Sequence, residues 1–152
     1  MKEQQVKKTF LPQDIAVLAA IFAAGAACTL LGEGWDGLGV IIILCDAMAI
    51  PFYHHGYRIE GQKGLFRLKE VSLSRENKDE ILSYLDGEVD NIDLHPWQKG
   101  GALVDVYYRK SDGFMLARYF DYADFAKGTE YPLQEISAEQ LSSLESFAID
   151  KK

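Results

Sequence analysis

Two apolar runs, IAVLAAIFAAGAACTLL (15–31) and LGVIIILCDAMAIPFY (38–53), lie only six residues apart and constrain this chain more than anything else in it. Between Ile15 and Tyr53 the only charged residues are Glu33, Asp36 and Asp46. A helix that crosses a bilayer needs about 20 predominantly apolar residues, with a range of roughly 17–25. Both runs sit at the short end of that range. The flanking Phe10, Leu11, Trp35, Tyr53 and Tyr57 extend them, since aromatic rings settle at the membrane–water interface.

Three arrangements compete for these runs. A cleaved signal peptide would use AGAAC as its small-residue cleavage region. A lipoprotein signal would place its cysteine at Cys28, but Gly25 stands three residues earlier, where a large aliphatic residue is expected. A second apolar run so soon after the first suits neither product. A buried hairpin in a soluble protein would need the remaining residues to cover two helices that are apolar all round. The expectation is therefore a membrane α-helical hairpin of two transmembrane helices, over about 13–31 and 38–55, within an N-terminal region 1–57.

The flanking charges set the expected orientation. Lys2, Lys7 and Lys8 precede the first run, the linker GEGWDG has no basic residue, and Arg58, Lys63, Arg67 and Lys69 follow the second. Positive flanks stay on the cytoplasmic side. A two-pass protein of the cell membrane is expected, with both termini cytoplasmic and the lipid bilayer as its first partner. Arg58, Lys63, Arg67 and Lys69 are also candidate contacts for anionic lipid headgroups.

Composition matters here because it is so uneven. Residues 1–57 hold three Lys/Arg against five Asp/Glu, and 58–152 hold thirteen against eighteen, for a net charge of −7. An acidic total argues against a nucleic-acid partner, which usually needs a basic face. Both cysteines, Cys28 and Cys45, lie in the apolar region, so the polar region has neither a disulfide framework nor zinc-ligand spacing.

Residues 58–152 read as a small cytoplasmic α+β domain of order β-α-β-β-α with a mainly antiparallel sheet. GLFRLKEVSLS predicts a strand over about 65–73, after which Ser74 caps a helix that ends at Gly87. ALVDVYYRKSDGFMLARYFDY (102–122) is a β-hairpin whose turn is supplied by Asp112 and Gly113. Its register stays open. A two-residue turn groups Val104, Val106 and Tyr108 with Met115, Ala117 and Tyr119, whereas a bulged three-residue loop substitutes Leu116, Arg118 and Phe120. A final helix from ISAEQLSSLESFA carries a capping box of Ser137 and Gln140 and a staple of Ile136 and Leu141.

Chemistry-bearing motifs are sparse. His54 and His55 are adjacent, so they point about 100° apart on a helix and share an ion poorly. DGEVDNID (86–93) fails the calcium-loop pattern, because Asn91 and Trp97 stand where glycine and glutamate belong. His95 has no cysteine or nucleophile motif to serve, and KGG at 99–101 lacks the spacing of a phosphate loop. No catalytic residue, metal ligand or cofactor is assigned. His95 and Trp97 form a candidate partner contact. Arg109 and Arg118 are candidate contacts for a partner or an anionic ligand, with Asp105, Asp121 and Asp124 as competing ion-pair partners. Asp46, inside the second apolar run, is a candidate intramembrane functional residue.

The expected function is a non-enzymatic membrane protein that presents a cytoplasmic protein-binding domain, as an accessory subunit, a regulator or an immunity-type protein. Its partner would be another membrane protein, or a second copy through the hairpin. Two alternatives remain open: a membrane-anchored enzyme or ligand sensor with its site on the 102–122 hairpin, and a transporter-complex subunit that uses Asp46.

Overall fold

The computed structural model describes residues 4–94, 101–123 and 126–149. They form two compact units. One is Val6–Arg58; the other comprises the described residues from Ile59 onward together with Gln4 and Gln5.

The first unit is a helical hairpin. Its helices are α1 (Pro12–Leu31) and α2 (Trp35–Ala49), the latter continued by a 3-10 turn over Ile50–Phe52. Pro12 starts α1 where its missing N–H is no loss, and Asp14 completes the start by accepting from the backbone N–H of Leu11 at 2.8 Å. Pro51 lies where α2 gives way to the 3-10 turn. The linker is shorter than the six residues expected. Gly32, Glu33 and Gly34 all take positive φ, at 62°, 48° and 91°, and reverse the chain in three residues. Trp35, Asp36 and Gly37 therefore belong to the helix. A short strand precedes α1, β1 (Val6–Thr9), and another follows α2, β2 (Gly56–Ile59); the two pair as a ribbon. Sequence patterning missed this ribbon.

Close packing of α1 on α2 depends on glycine. A Cβ at Gly39 would lie 2.5 Å from Gly25 O and 2.6 Å from Thr29 N, both backbone atoms that cannot swing aside. Gly39→Ala is therefore expected to force the helices apart and weaken the hairpin by about 1–3 kcal/mol. Gly37→Ala meets nothing within 4 Å and should be neutral or stabilising. The midpoint of an SDS titration, followed by energy transfer between labels at the two helix ends, checks the contrast. Equal midpoints for the two variants would contradict it.

The second unit is a small α+β domain with an antiparallel sheet. Strands β3 (Arg67–Leu73), β4 (Ala102–Tyr108), β5 (Met115–Ala123) and β6 (Ala126–Glu130) lie in that order, and β7 (Gln134–Glu135) also pairs with β5. Helix α3 (Lys78–Leu85) follows β3, and α4 (Ala138–Ser146) closes the described chain. The expected order β-α-β-β-α is present, with β6 and β7 added between the hairpin and α4. Val104 faces Tyr119, Val106 faces Ala117 and Tyr108 faces Met115, which is the face set of the tighter turn. The loop runs Lys110–Gly113, with Gly113 at φ 72° and its N–H donating to Arg109 O. Val71, Leu73, Val104, Val106, Ala117 and Tyr119 pack with Ile81 and Leu85 of α3 and Leu144 of α4 as the core.

Capping differs at the two helices. Ser137 Oγ accepts from Gln140 N, and the Gln140 side chain accepts from Ser137 N, as expected. Ser74 does not cap with its side chain. A 3-10 turn over Arg75–Asn77 intervenes, and Asn77, not Ser74, stands before α3. The Ser74 side chain is buried instead.

Candidate functional site

The sequence candidates fall in separate places. Asp46 is buried, 6% exposed, although it sits on a helix whose other side chains mostly face outward. Gly39 packs against Gly25 and Thr29, and a Cβ at Gly25 would touch Ile42 and Ile43. With the chain reversing at Gly32–Gly34, Asp46 lies about level with Ala20 on α1. Asp46 Oδ1 has no hydrogen-bond partner among the described residues. A buried carboxylate oxygen without a donor is destabilising and needs an explanation.

A second buried acid was not anticipated. Asp14 is 5% exposed and accepts from three donors: Leu11 N, His55 N at 3.1 Å and His55 Nδ1 at 2.8 Å. It ties the start of α1 to the residues that follow α2. The helix-start pattern of a proline and then an acid in LPQD could have revealed its capping role; nothing in the sequence pointed to His55. His54 stacks on Phe10, with ring centroids 4.0 Å apart, and Tyr53 meets His55 edge-on at 4.8 Å.

In the α+β domain, Arg109 is held by its own hairpin. Its Nε and Nη2 donate to the two oxygens of Asp112 at 2.8 and 2.6 Å, and Nη1 donates to Lys63 O. The guanidinium also lies over the rings of Phe66 and Phe114. Hydrogen bonding from Arg109 lowers the Asp112 carboxyl to about 2. With its donors used in this way, Arg109 locks the loop. Arg118 is buried, stands opposite Asp105 across the strands and donates to Gln4 O at 2.8 Å. Opposite charges in that position stabilise a strand pair.

A further polar cluster surrounds Asp121, which the sequence offered as a partner for Arg109 or Arg118 and which the fold gives to Lys78 and Arg75. Asp121 receives Lys78 Nζ at 3.2 Å and the Tyr119 hydroxyl at 3.2 Å, while Arg75 Nε stands 3.9 Å away. Lys78 also lies over the Tyr131 ring, and hydrogen bonds to Tyr131 and Asp121 hold its ammonium above the usual range. Burial, reinforced by the neighbouring Asp121 charge, pushes the Tyr119 phenol up. These groups stay in the charge states that favour mutual bonding, which suits a structural tie between α3 and β5 better than proton transfer.

Of the proposed headgroup contacts, Arg58 and Lys63 are exposed, Arg67 is half-buried on β3, and Lys69 forms an ion pair with Glu145 of α4. His95, Trp97 and Asp124 lie outside the described residues. Among the described residues no group of three His, Cys, Asp or Glu side chains is placed to hold a metal ion. Compared with protein-family models, with curated proteins and with solved structures, the chain matches none.

Proposed function

We propose that this chain is a small two-pass membrane protein whose hairpin anchors a cytoplasmic α+β domain that binds another protein. One observation carries the membrane part. Pro12–Leu31 and Trp35–Phe52 are long and apolar enough to cross a bilayer, yet only 11% of each span is buried by the protein itself. Ile15, Phe22, Leu30, Ile41, Leu44 and Phe52 are exposed along them. A helix at the centre of a soluble protein would be mostly buried, and water is a poor solvent for so continuous an apolar surface. The intimate packing of Gly39 on Gly25 and Thr29 favours a retained hairpin over a cleaved leader. The basic residues Lys7, Lys8 and Arg58 at the open end, against Glu33 alone in the turn, favour cytoplasmic ends.

The partner part rests on the domain's architecture. Its arginines and its Asp121 cluster are engaged in internal ties, which favours a recognition surface over a reaction centre. Affinity purification of the full chain in mild detergent, followed by mass spectrometry, tests this part. A stoichiometric membrane-protein partner is expected; a chain recovered alone that turns over a substrate would contradict it. Asp46 supports a second reading, a subunit of a transport complex, because its Oδ1 is buried with no donor among the described residues.

A further inference from the structure

We infer that the β1–β2 ribbon is a binding platform for the headgroups of anionic phospholipids, with Lys7, Lys8 and Arg58 as its contacts. The inference rests on the membrane reading and goes beyond it. The ribbon residues VKKT and GYRI carry three cations and no acid, and all three cations are exposed. Both strands continue almost directly from the helices: β1 ends at Thr9 and α1 begins at Pro12, while the turn after α2 ends at Phe52 and β2 begins at Gly56.

That continuity keeps the cations close to the helix ends. A bilayer whose apolar core is about 30 Å thick leaves a headgroup layer of roughly 5–8 Å on each side. At about 3.3 Å per residue, Lys8 is at most about 13 Å of chain from Pro12, so its long side chain can reach that layer. Phe10, Tyr53 and His54 occupy the links between helix and strand, where aromatic rings anchor at the interface. Asp14 holds the Leu11 and His55 backbones together, so the ribbon cannot swing freely from the helix ends. Lys7 and Lys8 are consecutive on a strand and point to opposite faces. The ribbon therefore presents cations to lipids on both sides. Lipid phosphates accept from ammonium and guanidinium groups, and an anionic headgroup adds the net charge that a zwitterionic one lacks.

The test uses the full chain reconstituted in bilayers of phosphatidylcholine and phosphatidylglycerol. Spin-labelled versions of each lipid report how strongly each is retained at the protein surface. Wild type should prefer phosphatidylglycerol, and each cation removed by Lys7→Gln, Lys8→Gln or Arg58→Gln should reduce that preference by up to about fivefold at low salt. The triple variant should show no preference. The double variant Arg67→Gln/Lys69→Gln should behave as wild type. A triple variant that keeps the preference overturns the inference, and so does displacement of the lipid by excess inorganic phosphate at constant ionic strength, which would mark a site for free phosphate. Flotation of the same samples separates the two levels. A chain that does not float with the bilayer defeats the membrane reading itself, whereas one that floats without lipid preference defeats only this inference.

Discussion

Tyr119→Ala is expected to remove about 3–5 kcal/mol from the α+β domain, the range for truncating a buried aromatic residue. Tyr119 is fully buried at the centre of the core, packs edge-on against Tyr131 at 5.3 Å and donates its hydroxyl to Asp121. Domains of this size are stable by roughly 5–15 kcal/mol, so the variant should lose a large share of its stability and melt well below wild type. Tyr119→Phe keeps the ring and removes only the hydroxyl bond to a charged acceptor, a loss of about 1.5–3 kcal/mol. Thermal melting of the full chain in mild detergent, with amide hydrogen exchange across β4 and β5, checks both. An alanine variant that melts with wild type would show that Tyr119 is not at the core.

Asp46→Leu should act in the opposite direction on the hairpin. On the insertion scale an aspartate near the membrane centre opposes insertion by about 2.5–3.5 kcal/mol, and leucine favours it by about 0.3–0.6. The exchange is thus expected to favour insertion of α2 by about 3–4 kcal/mol. It also removes a buried oxygen that has no donor among the described residues. A glycosylation-tag insertion assay should show a larger inserted fraction than wild type, and no increase would contradict the placement of Asp46 within the span. Assembly with the proposed partner gives the complementary reading. If the leucine variant assembles fully, Asp46 has no functional role. Failure of leucine alone, with Asp46→Asn active, identifies a needed hydrogen bond; failure of both identifies a needed ionisable group.

The parts of the fold that were legible are those written in long apolar patterns. Two runs of apolar residues specify a hairpin whatever its turn, and alternation around Asp112 and Gly113 specifies β4 and β5. The turn itself was misjudged because three left-handed residues suffice where six were allowed, and this moved the depth of every residue on α2. The strands β1, β2 and β7, of four, four and two residues, are too short to carry a periodic signal. Ser74 has the chemistry of a cap, but the intervening 3-10 turn moved the helix start beyond its reach.

The sites follow the same division. Asp46 stood out because it interrupts an apolar run, and its side chain is buried. Arg109 and Arg118 were visible as cations, but their engagement depends on Asp112, Lys63 and Gln4, two of which are remote in sequence. Asp14 with His55, and Asp121 with Lys78, join residues about forty positions apart. No local pattern encodes such pairs.

The most direct test of a two-pass anchor with cytoplasmic ends is cysteine labelling in intact cells with a membrane-impermeant maleimide. Cys28 and Cys45 are first replaced by serine, and a single cysteine is then introduced at Glu33, in the turn between the helices, or at Lys110, in the β4–β5 loop. The Glu33→Cys protein is expected to be labelled in intact cells, and the Lys110→Cys protein only after the membrane is opened. Labelling of Lys110→Cys in intact cells, or recovery of the chain in the soluble fraction, would contradict a two-pass anchor with cytoplasmic ends.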